Sequence, residues 1–281
     1  MGKIAASVII YHPGPDVQKN ISSYLDHVEH LYIADNSVPK YIFPSTLLEH
    51  PKITVISNGG NEGIAKRLNQ MANLAIKDGY EWLLTMDQDS YFNPDHISSY
   101  LEYMQAYADT SQVAMFGVET VQKPELIGDF TEKVIKLITS GSLLNLALYP
   151  TVGPFDENLF IDEVDYEYCY RAGRKGYSII QFTHIYLEHQ LAKDVKVKTL
   201  TGSVKKTKLH PPLRSYYMFR NYLYVRAKYK AHYPKEIREQ GAALFHWLKN
   251  NLFYGSSKWD TLKMLFRAVS DYKTGKMGKK M

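Results

Sequence analysis

Four short apolar runs in the first ninety residues each stop at a polar cluster, and helix-like segments fill the gaps between them. Ile4–Tyr11 ends at His12-Pro13-Gly14-Pro15, and Leu31–Ala34 at Asp35-Asn36-Ser37. Ile53–Ser57 ends at Asn58-Gly59-Gly60-Asn61, and Glu81–Met86 at Asp87-Gln88-Asp89. Runs this short and this apolar read as parallel strands buried on both faces. Asp16 to Val28 has helical potential. Glu62 to Lys77 places Ile64, Leu68, Met71 and Ala75 at helical spacing, with Asn61 as an expected cap, and Asn93-Pro94 opens a further helix. Strands that alternate with helices make a mostly parallel α/β sheet with right-handed crossovers. Ligands of such sheets bind outside the carboxyl ends of the strands, where all four polar clusters fall.

The rhythm ends near residue 190. We therefore expect a catalytic domain over 1–190 and a helical, basic and aromatic extension over 191–281, in which 191–212 reads as a Lys-rich loop. Charge divides the same way. Residues 190–281 carry 21 Lys and Arg against 5 Asp and Glu, and residues 1–189 carry 13 against 24. An acidic body with a basic tail suggests two different partners. Aromatic and basic residues interleave over 214–230. Two stripes follow, Leu244, Phe245, Trp247, Leu248, Leu252, Phe253 and then Trp259, Leu262, Leu265, Phe266, Val269. Such helices suit an anionic membrane surface, or packing on the body or a second subunit; nucleic acid is not expected. The single cysteine, Cys169, excludes an intrachain disulfide and fits a reducing compartment. No run reaches membrane-spanning length without charges, and the first apolar run is too short for a signal sequence.

Several constellations could carry chemistry. Asp87 and Asp89, two residues apart at a strand end, could share a hard divalent cation that keeps open positions for diphosphate oxygens, or could close an Asx turn. Asp35 could accept a hydrogen bond from a nucleobase, or form a turn of its own. Gly59 to Gly63 before a helix carrying Lys66 and Arg67 could approach a phosphate, although the spacing fits a tight turn better. Asp162 to Glu167 is the densest acidic patch. Asp162 could cap a helix there, sharing a face with Asp165 and Cys169, while Glu163 and Glu167 share another; one carboxylate could serve as general base. His184, beside a strand-like segment, could ligate a metal but reads rather as a satisfied surface or core histidine. Ser140-Gly141-Ser142 and Gly153-Pro154 allow either a sharp turn or a close backbone approach.

Taken in order, these pieces resemble family 2 glycosyltransferases of the GT-A fold, and among them the rhamnosyltransferase-like branch. The resemblance rests on Ala34-Asp35-Asn36-Ser37, on Gly60-Asn61-Glu62-Gly63-Ile64-Ala65 with Leu68-Asn69, and on Asp87-Gln88-Asp89. It continues through Thr139-Ser140-Gly141-Ser142, Gly153-Pro154-Phe155-Asp156-Glu157, Phe160-Ile161-Asp162 with Asp165, Glu167, Cys169 and Arg171, Gly176-Tyr177, Leu187-Glu188-His189, and Tyr216-Tyr217 with Arg220-Asn221. It implies a Rossmann-like nucleotide-sugar-binding sheet and a nucleotide-sugar set of Tyr11, Asp35, Asn61, Gly63, Lys66, Asp87 and Gln88. It implies a Mg²⁺ or Mn²⁺ site of Asp87, Asp89 and His189. Asp165 falls where the family's general base stands, with Val164 in place of the usual glutamate and Asp162 and Glu163 as runners-up. The reaction implied is inverting transfer from dTDP-rhamnose to a lipid-linked or polysaccharide acceptor, in the cytoplasm and peripheral to the inner membrane face. A UDP-hexose or galactofuranose donor, or a non-catalytic nucleotide-sugar-binding module, are the alternatives. A nucleotidyltransferase would need an N-terminal Gly-rich basic loop, which His12-Pro13-Gly14-Pro15 is not.

Overall fold

The computed structural model describes residues 2–120, 130–189, 195–198 and 203–280. The chain forms two compact units, one of residues 1–160 with 164–190 and one of 161–163 with 191–281. In chain order the first unit holds β1 (Ile4–Ile10), α1 (Val17–Leu25), β2 (His30–Asp35), α2 (Ser45–Leu48), β3 (Ile53–Ser57), α3 (Ile64–Lys77), β4 (Trp82–Asp87), β5 (Ser90–Phe92), α4 (Pro94–Ala106), β6 (Val113–Glu119), β7 (Thr131–Val134), β8 (Ser142–Asn145), α5 (Tyr149–Val152), α6 (Val164–Arg174) and β9 (Ser178–His189).

The strands join in the order β3-β2-β1-β4-β8-β6-β9-β5, with β7 also on β9. β3, β2, β1 and β4 are mutually parallel, and β6 runs parallel to β9. β8 is antiparallel to β4 and β6, and β5 and β7 to β9. The outer half is mixed: Gln88 and Asp89 alone separate β4 from β5, too few residues for a parallel crossover, and β5 pairs with β9 instead. β1 is buried almost throughout because helices cover the parallel sheet on both faces. Val8, Ile10, Leu31, Ile33, Leu84 and Met86 share one core with Ile21 and Tyr24 of α1 and Ile97 and Leu101 of α4. Register aligns the parallel strand ends: Ile9 stands opposite Asp87, Ile10 opposite Asp35, and Asp35 opposite Ser57. Asp35 and Asp87 thus flank β1, about 10 Å apart by strand spacing.

In the second unit, β10 (Val195–Lys198) and β11 (Val204–Thr207) form an antiparallel pair, followed by α7 (Pro212–Tyr229), α8 (Pro234–Tyr254) and α9 (Lys258–Lys273). The hairpin corrects the loop expected over 191–212. Alternation of valine with lysine in VKVK suits a half-covered strand, and Val197 is its buried residue. The aromatic and basic residues of α7 differ from the expected surface face too. Tyr216, Tyr217, Arg220, Asn221 and Tyr229 are buried. The Arg220 guanidinium donates to Tyr216 Oη (3.2 Å) and Gly278 O (2.9 Å), and Tyr216 donates to Asp271 of α9 (2.9 Å). A guanidinium sealed inside a domain must be hydrogen-bonded, so this part of the pattern serves packing. No helix among the described residues is long and apolar enough to cross a membrane.

Candidate active site

The loops leaving β1, β2, β3 and β4 are laced to one another by side chains. Gln88, between the two aspartates, accepts from Tyr11 N (2.8 Å) and donates to Tyr11 O (3.2 Å), so it pairs with the backbone beyond β1 as a further strand residue would. Asn20 of α1 donates to Gln88 O (2.9 Å). His12 N donates to Ser37 Oγ (2.8 Å), joining the first loop to the second. The second joins the third through Arg67 of α3, whose buried guanidinium donates to Asn36 Oδ1 (2.9 Å), Asp35 O (2.9 Å) and Gly60 O (3.4 Å). Burial lowers the Arg67 pKa, and the carboxylates of Glu62 and Asp35 oppose the shift. The sequence showed Arg67 only as a basic residue on a helix; the reason it is buried lies in three acceptors contributed by other loops.

Asp35 is also buried. Its carboxylate accepts from Ser37 N (2.8 Å), Tyr41 N (3.0 Å) and Ser57 Oγ (3.4 Å). An ionised carboxylate offers about four acceptor positions, so these bonds fix the turn and leave one further position. Tyr11 is half exposed above this rim.

The glycine-rich loop is a tight turn. Asn61 Oδ1 accepts from Gly63 N (2.9 Å), an Asx turn, and Gly63 rather than Asn61 holds the N-cap position of α3, with φ +82°. Asn61 stands two residues too early to bond the first-turn amides. Glu62 N donates to Asn36 Oδ1 (3.0 Å) and Ile64 N to Phe160 O (2.6 Å). The amides of residues 62–64 therefore already have protein acceptors, and Lys66 pairs with Glu62 one turn back.

Asp87 closes β4 and is exposed; Asp89 is half-buried in the turn that follows. Behind them, Ser140 Oγ accepts from Asp87 N (3.1 Å) and donates to Ser90 Oγ (2.9 Å). Gly141 N donates to Thr85 O (2.8 Å). Gly141 has φ +75°, and a Cβ there would lie 2.9 Å from Leu187 Cδ2 and 3.0 Å from Val118 Cγ2, so the turn and the packing both require glycine. His189 ends β9 with its backbone in register with Ser90, next to Asp89; its side chain lies outside the described residues. Among the described residues no three His, Cys, Asp or Glu side chains gather as a metal cage. The donor set fits a hard cation all the same, since Mg²⁺ is held by one or two carboxylates together with substrate phosphates and water.

Asp165 lies in the first turn of α6, half-buried, and its Oδ1 accepts from Tyr166 N (2.9 Å). One turn on, Cys169 is buried; burial pushes its thiol up to about 12, and Leu137 N points at its sulfur (3.5 Å). Leu137 is three residues from Ser140, a reach of at most about 11 Å. The segment that braces the aspartate turn thus also touches the helix that carries Asp165. Glu167 and Arg171 of α6 form a covered ion pair (2.7 Å), and Arg171 also donates to Val152 O (3.0 Å) beside Gly153, φ +96°. Asn69 of α3 holds the next loop, donating to Phe155 O (3.0 Å) and accepting from Phe155 N (2.8 Å).

Asp162 and Glu163 depart from the expected helix. Their φ values are +64° and +68°, and α6 begins at Val164. Lying ahead of the helix, they share no helix face with Asp165 or Glu167. Both fall in the second unit, where Asp162 pairs with Arg214 (2.7 Å) and Glu163 accepts from Gln240. Asp162 Oδ2 is buried without a hydrogen-bond partner. His184 packs edge-on against Tyr103 (ring centroids 4.5 Å apart) and beside Phe130 (4.6 Å), a packing role.

Residues 8–143 match the family model described as Glycosyl transferase family 2. The chain is 27% identical over 267 residues, 86% of both chains, to a protein of Shigella flexneri described as dTDP-rhamnosyl transferase RfbF. Among solved structures it resembles S. aureus TarS (TM-score 0.54, 14% identity) and GalNAc-T7 with UDP, GalNAc and Mn2+ (TM-score 0.60, 11% identity), covering 97% of this chain in each case. It spans 49% and 58% of those two chains. At such identity the likeness establishes the shared GT-A fold.

Proposed function

We propose, from the match of residues 8–143 to the model of family 2 glycosyl transferases, that the chain transfers a sugar from a nucleotide-sugar to an acceptor hydroxyl with inversion. The observation that carries this reading is the single laced rim at the carboxyl ends of β1 to β4, where Asp87 and Asp89 stand beside a segment that also touches α6. The donor favoured is dTDP-rhamnose, on the likeness to the Shigella relative, and the acceptor a lipid-linked or polysaccharide hydroxyl.

In this reading Tyr11, Asp35 and the Asn61–Gly63 turn hold the nucleoside end, with Lys66, Asp87 and Gln88 toward the diphosphate. Asp87 and Asp89, with His189 beside them in register, would hold Mg²⁺ or Mn²⁺, which when bound neutralises diphosphate charge. Asp165 takes the proton of the acceptor hydroxyl. That oxygen bonds to the anomeric carbon as the bond from that carbon to the phosphate oxygen breaks, and the nucleoside diphosphate leaves with the electron pair. Positioning and fixed charge supply most of the acceleration.

Thermal-shift screening of nucleotide-sugars with Mg²⁺ or Mn²⁺ identifies the donor through ligand-linked stabilisation. Asp165→Asn is expected to keep donor binding and lose transfer by at least a hundredfold, and Asp89→Ala to weaken metal-dependent donor binding. Wild-type turnover by Asp165→Asn would reassign the base. Undiminished donor binding by Asp89→Ala would remove the metal role.

A further inference from the structure

Burial of the α7 aromatics leaves a different aromatic surface. Helices α8 and α9 are joined by Gly255, Ser256 and Ser257 and pack through Leu244, Leu248 and Leu265. Phe245 (71% exposed) and Phe253 (58%) lie eight residues apart on α8, with the exposed Lys249 midway. Trp259 (77%) and Phe266 (69%) lie seven apart on α9, with the exposed Lys263 between them. Spacings of three, four, seven and eight residues put each set on one side of its helix. Phe253 and Trp259 therefore flank the hairpin turn, and Phe245 and Phe266 follow about 10–12 Å farther along each helix.

We propose that the α8–α9 hairpin docks on an anionic lipid surface through Phe245, Phe253, Trp259 and Phe266, with Lys249, Lys258 and Lys263 at the headgroups. Charge complementarity selects this occupant: Lys249, Lys258 and Lys263 stand beside the rings against Asp260, which lies 3.9 Å from Lys263, residues 190–281 as a whole carry 21 Lys and Arg against 5 Asp and Glu, and anionic leaflets attract such clusters. The composition of the face points the same way. Its rings are separated by lysines rather than joined into one apolar patch, which suits rings at the acyl boundary and ammonium groups among phosphates. Docking is peripheral, since no described helix can cross a bilayer. The proposal extends the lipid-linked acceptor reading, but its test uses no sugar donor, so either can fail alone.

The test is co-sedimentation of the full chain with vesicles of phosphatidylcholine and phosphatidylglycerol at 3:1, alongside pure phosphatidylcholine. The wild type should pellet with the anionic vesicles, at least tenfold more weakly with the neutral ones, and release with salt. Phe253→Ser with Trp259→Ser should reduce partition at least tenfold without changing the melting temperature, because both side chains face solvent. Lys249→Glu with Lys263→Glu should abolish the preference for anionic lipid. Tryptophan emission should shift to the blue on vesicle addition, and Trp259→Phe should lose most of that shift while still binding. Wild-type partition by the Phe253/Trp259 variant, or an unshifted emission, overturns the proposal. No vesicle binding, together with a dimer that this variant dissociates in sedimentation velocity, also overturns it and assigns the face to a second copy of the chain.

Discussion

Gly63→Ala is the substitution whose cost the structure defines most sharply. A Cβ at Gly63 would stand 2.4 Å from Phe160 Cδ2 and 2.7 Å from Phe160 O. The ring could rotate, but the carbonyl cannot withdraw cheaply because Ile64 N donates to it at 2.6 Å. The backbone is also unsuited to alanine: φ +82° and ψ 176° fall in a region open essentially to glycine, at about 1–3 kcal/mol for any other residue. Forcing the methyl in adds about 1–3 kcal/mol of overpacking, and stretching the Ile64 bond about 1 kcal/mol more. The total is about 3–7 kcal/mol, a large share of a typical domain stability of about 5–15 kcal/mol. Urea unfolding followed by circular dichroism should show the midpoint falling with the slope unchanged. Thermal melting should drop on the order of 10 °C. Gly60→Ala is the control in the same loop, since nothing but Glu62 Oε1 at 3.9 Å would meet its methyl; it should be nearly neutral. A cost below about 1 kcal/mol for Gly63→Ala would refute the close seating of Phe160 on this turn.

Two further perturbations probe the rim and the outer sheet. Arg67→Met removes the donors that join the Asp35, Asn36 and Gly60 loops, and should cost about 2–4 kcal/mol in urea unfolding together with weaker nucleotide-sugar binding; a variant as stable as wild type would show that the loops hold without the guanidinium. His184 is packed where burial lowers its pKa below the ordinary 6.5, more than the nearby Phe130 carbonyl raises it, and His96 adds to the lowering. The unfolded chain then binds the extra proton first, so stability is lost as pH falls through about 6.5. His184→Phe should flatten the stability profile between about pH 7 and 5 relative to wild type, while His30 and His210, also lowered by burial, keep their share in both proteins. Parallel profiles would mean that His184 does not carry this dependence.

The parallel half of the sheet was readable because each strand there is a continuous apolar run with a polar stop, and β3 occupies Ile53–Ser57 as its residues suggest. The antiparallel half was not, because β5, β7 and β8 are three or four residues long, shorter than any window in which periodicity speaks. Asn61 and Asp162 misled for one reason. Both are good cap residues by type, but caps depend on φ and ψ, and the left-handed positions of Gly63, Asp162 and Glu163 are set by Phe160, Arg214 and Gln240 far along the chain. Burial of Arg67, Asn69 and Arg220 was equally hidden, since a helix sequence shows a polar residue but not the loop that will close over it. The aspartates at the strand ends were visible as residues, whereas Ser140 behind them was visible only as part of a motif.

The pairing of Gln88 with both backbone atoms of Tyr11 ties the aspartate turn mechanically to the end of the first strand. Whatever weight falls on Asp87 or Asp89 is transmitted through one amide group to the residue that carries the exposed Tyr11 ring. A group resting on that ring and a charge drawn to the turn would therefore not be independent loads, and the middle residue of the triplet, which contributes no carboxylate, is the spring between them.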